Sequence, residues 1–371
     1  MSPRGGRAPL IHGELPFTRA LPFVPLLHGP TEVTPLDALS GWLGRGGVYA
    51  KRDDLAHPLY GGNKVRKFEW LLGEAKARGA TDLVTLGGIA STQVTATAVL
   101  GRALGFRVHG VLFDQPLTAF ARRSLLANQA ENLRQVHGGG LVPAALAAIR
   151  LHRGLGAVSF AVLPGASTPR PNLGYIDAAL EVGEQVRRGD APKPDVVVVA
   201  AGSCGTAVGL SIGFRLLGWD TEVVAVRIAE RYGCNELLVK LVDSLTTSAI
   251  HRGERGQRRR TRGSSRVVMD HEACGDGYGY PTAEATEGAA RLADVTGYEG
   301  EITYTGKALG AVRRLARGRH ARTGCIWFWN TLTREPPRGE SASVDDLPPD
   351  LAAVFRAPLY APRFASPGRS R

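Results

Sequence analysis

The sequence predicts an α/β protein with parallel-rich sheets covered by helices on both faces, and three observations carry that expectation. Between Asp82 and Leu163 short apolar strand signals alternate with helical patterns, which is the rhythm of parallel strands joined by crossover helices. Asp195 to Ala200 contains the unbroken β-branched run Val196-Val197-Val198-Val199, as expected for a central parallel strand buried on both faces. That run opens directly into a glycine loop, Ala201 to Leu210, whose later part begins a helix.

Taken in order, residues 1–46 are rich in Pro and Gly and predict an extended arm with its first few residues disordered. A short run, Val48 to Leu55, leads to the glycine loop Gly61-Gly62-Asn63-Lys64. A helix follows, with Phe68, Leu71, Leu72 and Ala75 on one face. Next come a strand at Asp82–Leu86, the loop Gly87 to Gln93, and a helix to about Leu104. They are followed by a strand at Arg107–Phe113, helices near 117–130 and 144–151, and a strand at Val158–Leu163. The second half predicts strands at 195–200, Glu222–Val226 and Cys325–Trp329, with helices near 235–245, 283–295 and 307–316. From residue 334 to 371 Pro, Gly, Ser and charges dominate, and the tail is expected to be mostly disordered.

At 371 residues and 43% hydrophobic content the chain can build one large or two medium cores. The net charge of +12 is uneven, because residues 251–266 hold seven arginines against one glutamate. This stretch predicts a solvated basic insertion. As a polyanion-binding element it lacks interleaved aromatics and any nucleic-acid-binding fold, which argues against a nucleic-acid partner. The four cysteines are scattered without a C-x-x-C pair, so neither a disulfide framework nor a metal site is expected, and a reducing cytoplasm suits the chain. No apolar leader is present and no run approaches the ~18 apolar residues of a membrane span. A soluble cytoplasmic protein is expected.

Lys64 lies where a glycine loop enters a helix, held by its backbone and open to a cavity, the setting in which an amine can lose its proton and attack a carbonyl. The loop Gly202 to Gly209 exposes backbone N–H groups at the positive end of a helix dipole, with Ser203 and Thr206 as further donors. It is not a nucleoside-triphosphate loop, because no Gly-Lys-Ser/Thr closes it. Gly202, Gly205 and Gly209 loosely mimic a dinucleotide loop. Arg227 could then face a 2′-phosphate, so an NADP-binding oxidoreductase stands as an alternative, as does a tight packing turn without ligand. Lys64 and this loop together have one joint explanation, pyridoxal 5′-phosphate bound through an imine to the lysine and through its phosphate to the helix N-terminus.

With that constellation the chain resembles the 1-aminocyclopropane-1-carboxylate deaminase and D-cysteine desulfhydrase family of the tryptophan synthase β-like pyridoxal-phosphate enzymes. The matching stretches are Tyr49–Asp54, Gly61–Lys67, Leu86–Gln93, Gly202–Gly209, Gly277–Pro281 and Tyr304–Ala308, in order. The resemblance implies fold type II, two α/β domains with the cofactor between them. Residues 67–178 would be the smaller domain, inserted into a larger one formed by 1–66 and 179–333. It implies that Lys64 bears the cofactor and that Asn63 bonds its 3′-oxygen. Gly202, Ser203, Cys204, Gly205 and Thr206 would cradle the phosphate, and Ser91, Thr92 and Gln93 the substrate carboxylate, while Ser91, Tyr278 and Tyr304 would act near the moving proton. A homodimer and a small amino-acid substrate are implied as well.

Thr305 stands where the cyclopropane deaminases carry a glutamate, as in the desulfhydrases, and a neutral hydroxyl favours an unprotonated pyridine. Such a shallower electron sink suits elimination of a good β leaving group, so the resemblance implies α,β-elimination to a keto acid and ammonia, with Lys64 as base. Ring opening of 1-aminocyclopropane-1-carboxylate and a biosynthetic β-replacement are alternatives. Trp329-Asn330-Thr331-Leu332-Thr333 departs from the family's His-Thr-Gly-Gly. Thr331 could still reach the pyridine nitrogen, while Leu332 and Thr333 would narrow the approach. Thr92 replaces the usual asparagine, and Cys204, replacing a glycine, reads as filler.

Overall fold

The computed structural model describes residues 7–254, 265–298, 300–334 and 339–362, and among these described residues ten strands make two sheets. In chain order the strands are β1 (Val33–Pro35), β2 (Val48–Lys51), β3 (Asp82–Gly88), β4 (Arg107–Phe113), β5 (Arg134–His137), β6 (Ser159–Val162), β7 (Val196–Ala201), β8 (Glu222–Arg227), β9 (Val267–Asp270) and β10 (Ile326–Trp329). A six-stranded sheet runs β1-β2-β10-β7-β8-β9 and a four-stranded sheet β5-β4-β3-β6. Every pairing is parallel except β1 with β2. The α/β fold with parallel-rich, helix-covered sheets is therefore as expected. All six residues of β7 are buried, as its β-branched run requires in a strand covered on both faces.

The helix Pro169–Arg188 was not anticipated. Two prolines sit in its first turn, where they cost no backbone hydrogen bond, and its buried face mixes Tyr175, Ile176 and Val182 with Asp177 and Glu181. It lies so close to the helix Gly205–Leu216 that a Cβ on Gly209 would stand 2.5 Å from that of Tyr175, and one on Gly213 2.5 Å from that of Ala179. Gly209 therefore serves helix packing, which explains its place in the glycine loop without a dinucleotide. The sequence-based domain limits at 66/67 and 178/179 fall within the helices Lys64–Ala77 and Pro169–Arg188.

Three expectations need correction. The tail is not disordered over 339–362: it carries the helix Pro349–Arg356, and Leu347, Leu351 and Ala352 are buried in the core under the four-stranded sheet. Three apolar anchors suffice to order a stretch whose composition is otherwise that of a loop. Residues 251–253 of the basic run end the helix Glu236–Gly253 rather than beginning an insertion, and residues 255–264 lie outside the described residues. Residues Leu141–Val158 do form an apolar stretch of 18 residues. Their helix, Leu141–Leu155, is the crossover between β5 and β6 and packs on β3 and β4. Residues 1–6 of the arm lie outside the described residues, and the rest supplies β1 as an antiparallel edge strand.

Candidate active site

The carboxyl ends of β3, β4, β7, β8 and β10 open on one cavity of about 730 Å³, at the crevice position where α/β folds bind ligands. Asn63, Lys64, Ser91, Thr92, Gln93, Gly202, Ser203, Cys204, Gly205, Thr206, Tyr278, Tyr304 and Thr331 all line it. Thr305 does not. It is fully buried, with its hydroxyl turned to the backbone oxygen of Glu301 at 3.2 Å and to that residue's carboxylate at 3.1 Å, so the cofactor-binding role expected of it is corrected.

Lys64 is the first residue of the helix Lys64–Ala77. Gly62 before it has φ +85°, and a Cβ there would meet the Thr331 oxygen at 2.5 Å, so only glycine lets the loop pass that strand end. Asn63 N–H donates to the same Thr331 oxygen at 3.1 Å, and Gly61 N–H to the Thr333 hydroxyl at 2.9 Å. The hydroxyl of Thr333 thus ties the lysine loop down instead of narrowing the cavity; of the two, Leu332 lines it. The Lys64 amine donates to Asn63 Oδ1 at 2.8 Å, and Asn63 Nδ2 reaches Thr206 Oγ1 at 3.4 Å, so two hydrogen bonds connect the lysine to the anion loop. Burial pushes the Lys64 pKa from 10.5 down to about 8.

Among the described residues the backbone N–H groups of Ser203, Cys204, Gly205 and Thr206 make no hydrogen bond, and the helix Gly205–Leu216 starts at their end. Cys204 takes φ +60°, a left-handed cap that turns this loop, and its sulfur lies 3.9 Å from that of Cys234. A Cβ on Gly205 would strike Ser167 and Asn172 at 2.4 Å. Unpaired donors at a helix N-terminus fit a phosphate.

Lys67 was missed in the sequence, although it lies one helical turn past Lys64. Its buried ammonium donates to Gly165 O at 2.8 Å and Ser167 Oγ at 2.9 Å, and Ser167 bonds Ser203 Oγ at 2.7 Å. It lines the cavity and brings an amine donor to the phosphate cradle. Its pKa is lowered well below the usual value by burial and by the neighbouring Lys64.

Opposite the anion loop, Ser91 is the N-cap residue of the helix Thr92–Ala103, yet its side chain makes no capping bond and stays available to the cavity. The N–H groups of Thr92, Gln93 and Val94 are free of acceptors among the described residues, a second anion site at a helix N-terminus. The Gln93 side chain is partly committed to the fold, donating to Leu163 O at 3.1 Å, while its Oε1 has no partner among the described residues. Tyr278 and Tyr304 hydroxyls meet at 2.5 Å. Burial raises the Tyr278 pKa to about 12, offset in part by hydrogen bonds with Tyr304 and Ser91, so Ser91, Tyr278 and Tyr304 form one hydroxyl cluster. Glu301, also missed, lines the cavity and accepts the N–H groups of Thr303, Tyr304 and Thr305 at 2.6, 2.8 and 2.6 Å.

Arg227, which an NADP 2′-phosphate would need, donates to the carbonyls of Ala229 at 2.8 Å and His271 at 3.2 Å and does not line the cavity.

Comparison with known proteins agrees with this geometry. Residues 24–327 match the family model described as pyridoxal-phosphate dependent enzyme. The D-cysteine desulfhydrase of Serratia proteamaculans (strain 568) is 30% identical over 322 residues, covering 84% of this chain and 93% of that protein. The D-cysteine desulfhydrase of Salmonella newport (strain SL254) is 30% identical over 319 residues with the same coverage. The crystal structure of an ACC deaminase homologue superposes with a TM-score of 0.74 at 24% identity, over 94% of this chain and all of that one, a likeness of fold. The lysine, the anion loop and the matched sequence agree, and the chain belongs to the family of pyridoxal-phosphate dependent enzymes.

Proposed function

We propose that the protein is a D-cysteine desulfhydrase-like lyase that carries out α,β-elimination on a small amino acid, releasing a keto acid and ammonia. The observation that carries this reading is the placement of a depressed lysine amine, an anion cradle and a hydroxyl cluster around one cavity. The two D-cysteine desulfhydrases quoted above carry this activity in their names. When bound, pyridoxal phosphate supplies an electron sink for charge developing at the substrate Cα. Residues 202–206 with Lys67 would hold the phosphate, and Asn63 would orient the ring. The N–H groups at Ser91 to Gln93 hold the substrate carboxylate. The Lys64 amine removes the Cα proton, and the Tyr278–Tyr304 pair, which stays protonated at neutral pH, donates to the departing β-substituent. We place residues 67–178 as the smaller unit, inserted into a larger one built from 1–66 and 179–333.

Ring opening of 1-aminocyclopropane-1-carboxylate is kept as a second reading on one observation. The sequence argument against it rested on a neutral Thr305 facing the ring, but Thr305 faces Glu301, and it is Glu301 rather than Thr305 that lines the cavity. A panel of D- and L-cysteine and the cyclopropane acid, scored for keto acid release, separates the two. Release fastest from D-cysteine is expected; release from the cyclopropane acid alone would replace the first reading by the second.

The proposal extends to a cytoplasmic homodimer. All four cysteines are buried and free. The helix Glu236–Gly253 exposes Leu237 at 73%, Leu241 at 52% and Leu245 at 50%, a stripe at helical spacing that water does not favour. The mass measured by light scattering is expected to be twice 39.4 kDa and to fall to the monomer in Leu241→Glu. A wild-type monomer would remove the dimer from the proposal.

A further inference from the structure

The lining of the cavity is mixed in chemistry. Lys64, the anion loop and the hydroxyl cluster are polar, as are Asp114, Gln115 and Glu230, while Phe113, Leu238, Tyr280 and Tyr360 add apolar walls. Tyr360 comes from the C-terminal segment, beyond the residues 24–327 that match the family model.

The segment is built onto the four-stranded half of the molecule. Leu347 and Leu351 are 5% and 0% exposed in a core they share with Leu125 and Leu133. Arg122 donates to the Ala357 carbonyl, and Tyr360 N–H to the Leu117 carbonyl at 2.8 Å. From there the Tyr360 ring meets Tyr280, which follows β9 of the other sheet, edge to face at 5.4 Å and 90°. The segment thus bridges the mouth between the two sheets with an aromatic pair.

A cysteine held by its carboxylate at the Thr92–Ala103 helix and by its nitrogen near Lys64 would leave these apolar walls facing water. Room and chemistry both suit a larger group on the β carbon. We propose that the site takes amino acids with a bulky apolar β-substituent of the aryl or alkyl thioether class, and that Tyr360 is a specificity-determining residue for that substituent. The proposal rests on the elimination reading above for the reaction itself. Its balance is one amino acid and one water giving one thiol, one pyruvate and one ammonium. The Cβ–S bond breaks with its electron pair on sulfur, and the thiolate takes a proton from the tyrosine pair.

The test uses the holoenzyme with S-benzylcysteine and cysteine of both hands. One readout is kcat/KM for pyruvate release, the other is binding titrated through the cofactor's absorbance. S-benzylcysteine is expected to exceed cysteine of the same hand by about tenfold or more in kcat/KM. Tyr360→Ala should cut that ratio by about tenfold and Tyr360→Phe should keep it. Thermal unfolding confirms that each variant is folded. Cysteine preferred over its benzyl thioether, or a ratio unmoved by Tyr360→Ala, overturns the proposal. Tight binding of S-benzylcysteine without pyruvate from any substrate supports the pocket while ending the elimination reading. Pyruvate from cysteine with no binding of the thioether does the reverse.

Discussion

The Lys64→Ala variant is expected to lose the visible absorbance of the lysine-bound cofactor and to slow keto acid release by roughly 10³-fold or more, since it lacks both the attachment point and the base. Absorbance and single-turnover pyruvate assays on purified protein check this. A variant that keeps the visible band would mean that another amine, Lys67 first among them, is the attachment point. The amine also has a pH signature. Its pKa is pushed down to about 8 by burial, so the reactive neutral form gains about tenfold per pH unit up to that point and then saturates. Capture of pyridoxal phosphate by the apoenzyme should therefore rise to about pH 8 and level off. Capture still climbing past pH 10 would show a solvated lysine.

The site was legible in the sequence where chemistry and backbone punctuation coincide. Leu86–Gln93 and Gly202–Thr206 are each a strand end, a glycine turn and a helix start, Gly61–Lys67 is a glycine turn and a helix start, and all three line the cavity. Lys67 and Glu301 escaped because their roles come from tertiary neighbours: Ser167 and Ser203 for the one, the turn before the helix Thr305–Arg317 for the other. Thr305 was misplaced for a related reason, since a helix start fixes a residue's position without fixing which way its side chain turns. Among the elements, β5 was missed because Arg-Gln-Val-His is a polar edge strand. Pro169–Arg188 was missed because its buried face contains carboxylates, and apolar periodicity is blind to a charge that is buried in company. The tail shows the converse, a loop-like composition ordered by Leu347 and Leu351.

That buried company leads to the largest stability effect expected. Beneath the lysine loop, Asp53 accepts from Arg66 Nη2 at 2.8 Å, Trp329 Nε1 at 2.7 Å, the Tyr175 hydroxyl at 2.8 Å and the Thr31 hydroxyl at 2.9 Å. Glu181 accepts from Lys51 at 2.6 Å and from Arg66 at 3.0 Å. All four charged side chains are at most 1% exposed, two of each sign. Burial works against every one of these charges, yet their mutual fields hold Glu181 well below and Arg66 well above their ordinary pKa values. Asp53→Ala would leave Arg66 and Lys51 sharing Glu181 as a single buried carboxylate and two aromatic donors without an acceptor, so a loss of about 3–5 kcal/mol is expected in urea unfolding. Asp53→Asn, which keeps hydrogen-bond acceptance without the charge, should lose less. Arg66 lies between Lys64 and Lys67 in the first two turns of their helix, and Trp329 lies two residues before Thr331. The same variant should therefore weaken cofactor retention, measured by dialysis of the holoenzyme. A loss below about 1 kcal/mol would show that water enters to solvate Arg66 and that the network does not fix the helix start.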